Sequence, residues 1–171
     1  MKYDYKTLYQ TNAEFFQNRP FIKALLCFAD KILTASFAGA YLGLWMYGVC
    51  ENIFTLRQYA LLFAVPVFAL LLVSILRLAF HRPRPYAEKG ENITPLKMRD
   101  GDENTSFPSR HLACASVIAT LFFAYCPPLA FCLWGLTCLL GYTRFALGLH
   151  YPSDLLAGAG LGLLCGLLIF L

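Results

Sequence analysis

The chain has 171 residues, of which 58 % are hydrophobic and only 14 % are charged, and its mean hydropathy is +0.56. These values exclude an ordinary soluble globular protein, in which about 45–50 % of residues are apolar. The net charge of +4 comes without a basic run, so nothing indicates nucleic-acid binding. The small positive excess suits a membrane surface and an anionic substrate. We therefore predict an integral membrane protein with a single domain, residues 1–171.

The N-terminal segment, residues 1–31, mixes aromatic and aliphatic side chains with charged ones. This pattern is typical of a helix that lies in the membrane interface, and Pro20 should break that helix. The alternative is a distorted extension of the first span, which would then carry Asp30 and Lys31. The segment lacks the basic-then-apolar pattern of a cleaved signal peptide.

Five apolar segments are long enough, or nearly so, to cross a bilayer, which takes about 20 residues. They span residues 32–50, 59–80, 111–125, 129–146 and 154–171. Small-residue ridges occur on the last segment (Gly158, Gly162, Gly166) and on the first (Gly39, Gly43), and we interpret both as helix-packing surfaces. The predicted fold is all-α, a polytopic membrane helical bundle of about five transmembrane helices plus an N-terminal interfacial helix.

Polar clusters occur where predicted spans end, at residues 77–85, 108–111 and 144–154. With five spans, helix ends alternate between the two faces of the membrane, so all three clusters fall on the face that also carries the N-terminus. The long polar loop, residues 86–107, links the first two clusters and is expected to lie beside them. This topology predicts one site built from three separate stretches.

The first cluster contains two arginines around a helix end. Arg77 is near the end of a span, which Pro83 and Pro85 prevent from continuing. Arg77 and Arg84 would therefore point from different backbone directions and could hold a tetrahedral anion with forked hydrogen bonds. The alternative is that arginines here merely reach lipid headgroups. His81 and Arg82 fit that alternative better.

The second cluster, Pro108-Ser109-Arg110-His111, precedes an apolar run and is a helix-start signal with Ser109 near the N-cap. A helix N-terminus offers free N–H groups and a positive dipole end to a phosphate. His111 in the first turn could then give a proton to a leaving oxygen. The alternative is a simple cap followed by a solvated histidine.

The third cluster combines Arg144, His150 and Asp154. Asp154, one turn into the last helix, could accept the Nδ1–H of His150, which would leave Nε2 free as a nucleophile. The alternative is that Asp154 only caps its own helix. The three clusters together favour phosphoryl transfer without a metal, because arginines would neutralise the developing charge.

The three motifs, in this order and spacing, resemble those of the type-2 phosphatidic-acid phosphatase family. The family pattern is Lys-x6-Arg-Pro, Pro-Ser-Gly-His and Ser-Arg-x5-His-x3-Asp. This chain has Arg77-x6-Arg84-Pro85, Pro108-Ser109-Arg110-His111 and Thr143-Arg144-x5-His150-x3-Asp154. It departs from the pattern in Arg77 for Lys, Arg110 for Gly and Thr143 for Ser.

The resemblance implies roles for these residues. His150 would be the nucleophile, Asp154 would orient it, and His111 would be the general acid. The phosphate would be held by Arg77, Arg84, Ser109 and Arg144, and Arg110 would add a positive group facing a second phosphate or a lipid headgroup. No cofactor and no metal are implied.

The resemblance implies a bacterial membrane lipid phosphatase. Its substrate would be a membrane lipid phosphate, either undecaprenyl diphosphate or a phosphatidic-acid or phosphatidylglycerophosphate type of lipid. The alternative function is a non-catalytic protein that binds or transports anions or lipid phosphates. Relatives usually work at the extracytoplasmic face of the plasma membrane, which we also expect here, although lysines and arginines of the N-terminal segment favour a cytoplasmic site. The sequence does not determine the oligomeric state.

Overall fold

The computed structural model describes residues 5–87, 94–96 and 105–171, without the side chains of residues 5 and 6. Within these ranges the chain forms six α-helices, two 3₁₀ turns and no β-strand. The α-helices are α1 (Tyr5–Gln17), α2 (Pro20–Glu51), α3 (Leu56–Phe80), α4 (Arg110–Leu121), α5 (Pro127–Ala146) and α6 (Pro152–Gly166). The all-α prediction is confirmed. Most of the polar loop predicted at 86–107 lies outside the described residues.

The N-terminal segment divides at Pro20, as predicted, but it does not end at residue 31. Helix α2 begins at Pro20 and continues to Glu51, so Asp30 and Lys31 lie inside it. No proline or glycine occurs between residues 21 and 31 to end the helix. Residues 20–31 therefore form an N-terminal extension of the first predicted span, which was the alternative prediction. Only α1 is a separate N-terminal helix.

Three helices of the described part are long and apolar enough to cross a membrane, namely Leu56–Phe80, Pro127–Ala146 and Pro152–Phe170. The last of these joins α6 to the 3₁₀ turn Leu167–Phe170. The apolar helix Arg110–Ala124 is shorter, and α2 is not among the three. Three of the five predicted spans thus meet the criterion, and the count of five stays a prediction.

Helix α4 lies at the centre of the bundle and packs most extensively against α6. The glycine ridge of α6 permits this close approach: a Cβ on Gly158 would lie 2.5 Å from the carbonyl oxygen of Ser109, and Gly166 faces Thr120 in the same way. The packing interpretation of this ridge is confirmed. Gly39 and Gly43 of α2 have no neighbour within 4 Å of an added Cβ, so their ridge is not packed within the described part of the chain.

Helix α1 covers the turn that precedes His150. Tyr9 is buried, and its hydroxyl donates to the carbonyl oxygen of Thr94 at 2.9 Å. Gly148 has a φ of +74°, and a Cβ there would meet the Tyr9 ring. Glycine therefore serves both the left-handed backbone and the close approach of α1 at this turn.

Candidate active site

The three sequence clusters are joined by direct contacts. The Arg77 Nη1 donates to the carbonyl oxygen of Pro108 at 3.2 Å, which links the first cluster to the second. The Arg84 Nη1 donates to the carbonyl oxygen of Leu149 at 2.9 Å, which links the first to the third. Both arginines are buried. The structure therefore brings the three stretches together, as the topology argument predicted.

The second cluster begins α4, with Ser109 at the N-cap position and Arg110 as the first helical residue. The Ser109 N–H donates to the carbonyl oxygen of Asp154 at 2.9 Å, which ties the start of α4 to α6. The Ser109 side chain makes no cap hydrogen bond, and its buried Oγ has no hydrogen-bond partner in the described part of the chain. A buried hydroxyl without a partner is unusual in a native protein and is available to a ligand.

The histidine of the third cluster is completely buried, and its orientation is set by a backbone carbonyl. The His150 Nδ1 lies 3.0 Å from the carbonyl oxygen of Ser106. A carbonyl oxygen can only accept a hydrogen bond, so we assign the proton to Nδ1. The opposite nitrogen, Nε2, is then unprotonated, and it has no hydrogen-bond partner among the described residues. This arrangement presents a nitrogen lone pair to the site.

Asp154 does not accept the Nδ1–H of His150, contrary to the geometry that the sequence predicted. Its Oδ2 is 3.8 Å from Nδ1, which is too long for a hydrogen bond. The same oxygen instead accepts the Ser106 hydroxyl at 2.5 Å and the Tyr151 N–H at 3.2 Å. Asp154 therefore caps its own helix and also holds Ser106, whose carbonyl oxygen orients His150.

Arg82 belongs to this network, although the sequence placed it at the lipid headgroups. Its Nη1 lies 2.7 Å from Asp154 Oδ1 and 2.9 Å from Ser153 Oγ. Its guanidinium also stacks over the Tyr151 ring at 4.2 Å. The Asp154 carboxylate is completely buried, so a cationic partner offsets the cost of its burial. His81, in contrast, is exposed at the end of α3, as expected.

Arg144 is buried beside an acidic partner from α2. Its Nε lies 2.8 Å from Asp30 Oδ1, and its Nη2 donates to Thr34 Oγ1 at 3.0 Å. The sequence pointed to Asp30 as a charge within an apolar stretch but did not pair it with Arg144. No local pattern could reveal that pair, because more than 100 residues separate its members.

A cavity of about 470 Å³ opens beside these side chains, and it is lined by residues of α2, α4, the end of α5 and the following turn, among them Asp30, Lys31, Thr34, His111, Arg144 and Leu149. A second cavity of about 230 Å³ lies between α2 and α4, and Arg110 lines this one. His111 lines both. Arg110 is exposed and does not line the cavity that Arg144 lines. Among the described residues, no group of three or more His, Cys, Asp or Glu side chains could hold a metal ion.

The His150 imidazole is held in its neutral form. Burial lowers its pKa from 6.5 to about 4; the carboxylate of Asp154 opposes this shift, and the cations Arg84 and Arg144 add to it. A neutral imidazole has the lone pair that a nucleophile needs. The site therefore combines a neutral histidine with several buried cations.

The low pKa predicts that acid destabilises the folded protein through His150. Between pH 6.5 and pH 4 the unfolded chain binds a proton that the folded chain does not, so stability is lost as the pH falls. From pH 7.5 to pH 5 we expect the wild type to lose about 2 kcal/mol more than His150→Gln, which removes the titrating group. Unfolding in detergent at the two pH values measures this difference. Equal losses in both proteins would contradict the prediction.

Two residues of the network, Ser106 and Thr34, were not predicted as site residues from the sequence. Ser106 precedes the second motif but carries no local signal, because its role depends on a carbonyl oxygen and a hydroxyl that face His150 and Asp154. Thr34 is one helical turn after Asp30, and only its contact with Arg144 distinguishes it from other hydroxyls in the helices.

Comparisons with known proteins confirm the family resemblance. The model of the PAP2 superfamily matches residues 56–171. The lipid A 1-phosphatase of Rhizobium etli is 34 % identical over 106 residues, which cover 60 % of this chain and 45 % of that protein. The undecaprenyl-diphosphatase BcrC of Bacillus subtilis is 26 % identical over 152 residues, which cover 87 % of this chain and 74 % of that protein. The chain thus spans less than half the length of the first relative.

Solved structures show the same fold. The PAP2-type phosphatidylglycerolphosphate phosphatase of Bacillus subtilis superposes with a TM-score of 0.72 at 22 % identity, over 97 % of this chain and 82 % of that one. LpxE of Aquifex aeolicus superposes with a TM-score of 0.59 at 28 % identity, over 86 % and 93 %. With three apolar helices that could cross a bilayer and a family model that matches from α3 to the C-terminal residue, this chain is an integral membrane protein of the PAP2 superfamily.

Proposed function

We propose that the protein is a membrane lipid phosphatase, which releases inorganic phosphate from a phosphomonoester or diphosphate of a membrane lipid. The observation that carries the proposal is the pair of buried, unpartnered atoms His150 Nε2 and Ser109 Oγ. Both belong to a cluster whose arginines, Arg77, Arg84 and Arg144, are buried too. A nucleophilic nitrogen, a hydroxyl donor and several guanidiniums together match the needs of a tetrahedral phosphate.

In the first half of the proposed reaction, the lone pair of His150 Nε2 attacks phosphorus. A P–N bond forms while the P–O bond to the lipid breaks, and protonated His111 gives its proton to the leaving oxygen. The proton on His150 Nδ1 stays on the ring and strengthens its hydrogen bond to the Ser106 carbonyl oxygen as the imidazole becomes positive. The Asp154 carboxylate, 3.8 Å away, stabilises that charge without accepting the proton.

In the second half, a water molecule attacks the phosphohistidine. The P–N bond breaks, its electron pair returns to Nε2, and His111 takes the proton that the water loses. Inorganic phosphate leaves, and His150 and His111 return to their starting forms with one water consumed. Arg77, Arg84, Arg144 and Ser109 would hold the phosphate oxygens in both halves.

A lipid substrate is supported by the surroundings of the site and by the relatives. The cavity beside Arg144 shares lining residues, among them Thr34 and His111, with the cavity between α2 and α4. That second cavity is lined mainly by apolar residues such as Phe37, Ile118 and Leu140. A lipid tail could follow this path while its phosphate reaches the arginines. The relatives are named for lipid A, undecaprenyl diphosphate and phosphatidylglycerolphosphate, so the shared chemistry is a phosphate on a membrane lipid.

The second candidate is a protein that binds or transports lipid phosphates without cleaving them. Buried arginines alone would suit that role. The oriented His150 favours the phosphatase, because a binding site does not need a neutral histidine with a free lone pair. A transporter would move or retain substrate but release no inorganic phosphate.

The proposal predicts catalytic phosphate release by the purified protein in detergent with EDTA present. The substrates to compare are undecaprenyl diphosphate, phosphatidic acid and phosphatidylglycerophosphate, with His150→Ala purified in parallel to expose contaminating phosphatases. Release by the wild type on at least one lipid, unaffected by EDTA, is the expected result. No release on any of the three would refute the phosphatase, and release that EDTA abolishes would refute the metal-independent mechanism.

We further propose that the site opens to the extracytoplasmic face of a bacterial plasma membrane. A short-chain prenyl diphosphate, which does not cross membranes, tests this in the same assay. Intact cells that express the wild type should release phosphate from it faster than cells that express His150→Ala. Release only after the cells are permeabilised would place the site on the cytoplasmic face.

A further inference from the structure

An acidic residue from α2 contacts one of the proposed phosphate-binding arginines. The Asp30 side chain is 2 % exposed and that of Arg144 is 6 % exposed, and Oδ1 of the first lies 2.8 Å from Nε of the second. Asp30 lies outside the three motifs. The contact therefore joins the N-terminal half of the chain to a site otherwise built from its C-terminal half.

A hydroxyl one turn further along α2 supports the same guanidinium. Thr34 Oγ1 accepts a hydrogen bond from Arg144 Nη2 at 3.0 Å and donates one to the carbonyl oxygen of Asp30 at 2.8 Å. Two residues of one helical turn thus contact the guanidinium of Arg144: Thr34 accepts a hydrogen bond from Nη2, and the Asp30 carboxylate lies in ion-pair contact with Nε. A planar guanidinium that has a hydrogen bond at one end and a carboxylate beside the other is restricted in its orientation.

The cost of this arrangement indicates a role beyond stability. A buried ion pair is often no more stabilising than an apolar replacement of similar size, and a buried carboxylate is costly in itself. The pair also lines the cavity that His111 lines. The carboxylate is therefore placed at the site and not in the apolar core of the bundle.

We propose that Asp30 is a positioning residue that holds Arg144 in the orientation that meets the substrate phosphate. The proposal rests on the phosphatase function proposed above. Asp30 does not touch substrate; it acts through Arg144, and Thr34 assists it. Helix α2 thereby becomes part of the active site although it carries none of the motif residues.

Asp30 also has an effect on phosphate binding that opposes its positioning effect. Its negative charge weakens the attraction of Arg144 for an anion, so removal of that charge alone would strengthen phosphate binding. If positioning dominates, Asp30→Asn should lower kcat/KM by about 10- to 100-fold, the range that a small misplacement of a binding group causes. Inhibition by inorganic phosphate should also become weaker.

A double-mutant cycle in detergent tests the proposal. The proteins to compare are the wild type, Asp30→Asn, Arg144→Met and the double variant, with Glu51→Gln as the control, because Glu51 is an exposed carboxylate at the far end of the same helix. We expect Asp30→Asn to lower kcat/KM in the wild type and to change it little in Arg144→Met. A purely structural role would lower kcat/KM by the same factor in both backgrounds, and Glu51→Gln should match the wild type.

Two results would overturn the proposal: wild-type kcat/KM in Asp30→Asn, or equal losses in both backgrounds. If Asp30→Asn does not fold, Thr34→Val replaces it, because this variant removes the contact to Nη2 and the hydrogen bond to the Asp30 carbonyl oxygen but keeps the Asp30 carboxylate. A several-fold loss in Thr34→Val that disappears in Arg144→Met supports the proposal, and unchanged kcat/KM refutes it. An inactive wild type would instead refute the phosphatase function, so the two failures are distinguishable.

Discussion

Replacement of His150 by alanine is expected to reduce the release of inorganic phosphate by at least about 10⁴-fold, the scale on which loss of a covalent nucleophile acts. The reason is geometric. Nε2 of His150 is the unpartnered nitrogen of a buried neutral ring, whose other nitrogen donates to the Ser106 carbonyl oxygen. Alanine removes the attacking atom, while the arginines that hold the phosphate remain.

The covalent intermediate provides a second readout of the same prediction. Wild-type protein that is mixed rapidly with lipid labelled in its phosphate and then quenched in alkali should carry label, because a phosphohistidine survives alkali and is cleaved by acid. His150→Ala should carry none, although it should still bind the labelled lipid. The pattern would separate a nucleophile from a residue that only shapes the site.

His81→Asn is the matched control for these measurements. His81 is exposed and takes no part in the proposed chemistry. It follows the last residue of α3 and has a φ of 40°. Asparagine tolerates that left-handed backbone well, so this variant should keep wild-type activity. Phosphate release by His150→Ala above about one per cent of the wild-type rate would contradict a nucleophilic role. A label on the wild-type protein that acid does not remove would contradict it too.

Substitution of Gly158 by alanine is expected to impair the site without touching any motif residue. The new Cβ would lie 2.5 Å from the carbonyl oxygen of Ser109 and 3.2 Å from its amide nitrogen. These are backbone atoms, so α4 or α6 must shift. The shift would also strain the 2.9 Å hydrogen bond from the Ser109 N–H to the Asp154 carbonyl oxygen.

We expect Gly158→Ala to lower kcat/KM by about 10- to 100-fold and the free energy of unfolding by about 1–3 kcal/mol, the usual effects of a misplaced group and of overpacking. Gly160→Ala is its matched control, because a Cβ on Gly160 has no neighbour within 4 Å. That variant should keep full activity and gain up to about 1 kcal/mol from helix propensity. Indistinguishable behaviour of the two variants would show that the close approach of α4 and α6 does not matter to the site.

The first prediction removes the attacking atom, and the second displaces the backbone that positions the site. His150 is oriented by a carbonyl oxygen of residue 106, which is itself held through its hydroxyl by Asp154. Ser109 is placed by the contact between α4 and α6. The precision of the site therefore depends on backbone positions that mutation of the motif side chains alone would not reveal.

Much of this protein could be read from its sequence. Apolar runs and their lengths predicted an all-α membrane bundle, because a chain in a bilayer must satisfy its backbone hydrogen bonds within each helix. The spacing of charged residues at helix ends predicted that Arg77, Arg84, Ser109, Arg144, His150 and Asp154 come together, since helix ends alternate between faces. Residues that are buried in the site thus carried a signal in their type and their position.

The partners of those residues were decided only by the tertiary structure. The sequence predicted a hydrogen bond between His150 and Asp154. In the structure Ser106 contacts both residues, and Asp154 forms an ion pair with Arg82. The sequence also showed that Asp30 is an unusual charge in an apolar stretch. In the structure its Oδ1 lies 2.8 Å from Nε of Arg144. Hydrogen-bond partners depend on distances of a few tenths of an ångström between atoms far apart in the chain. Periodicity and motif spacing are properties of single segments of the chain. They carry no information about distances between atoms of different segments.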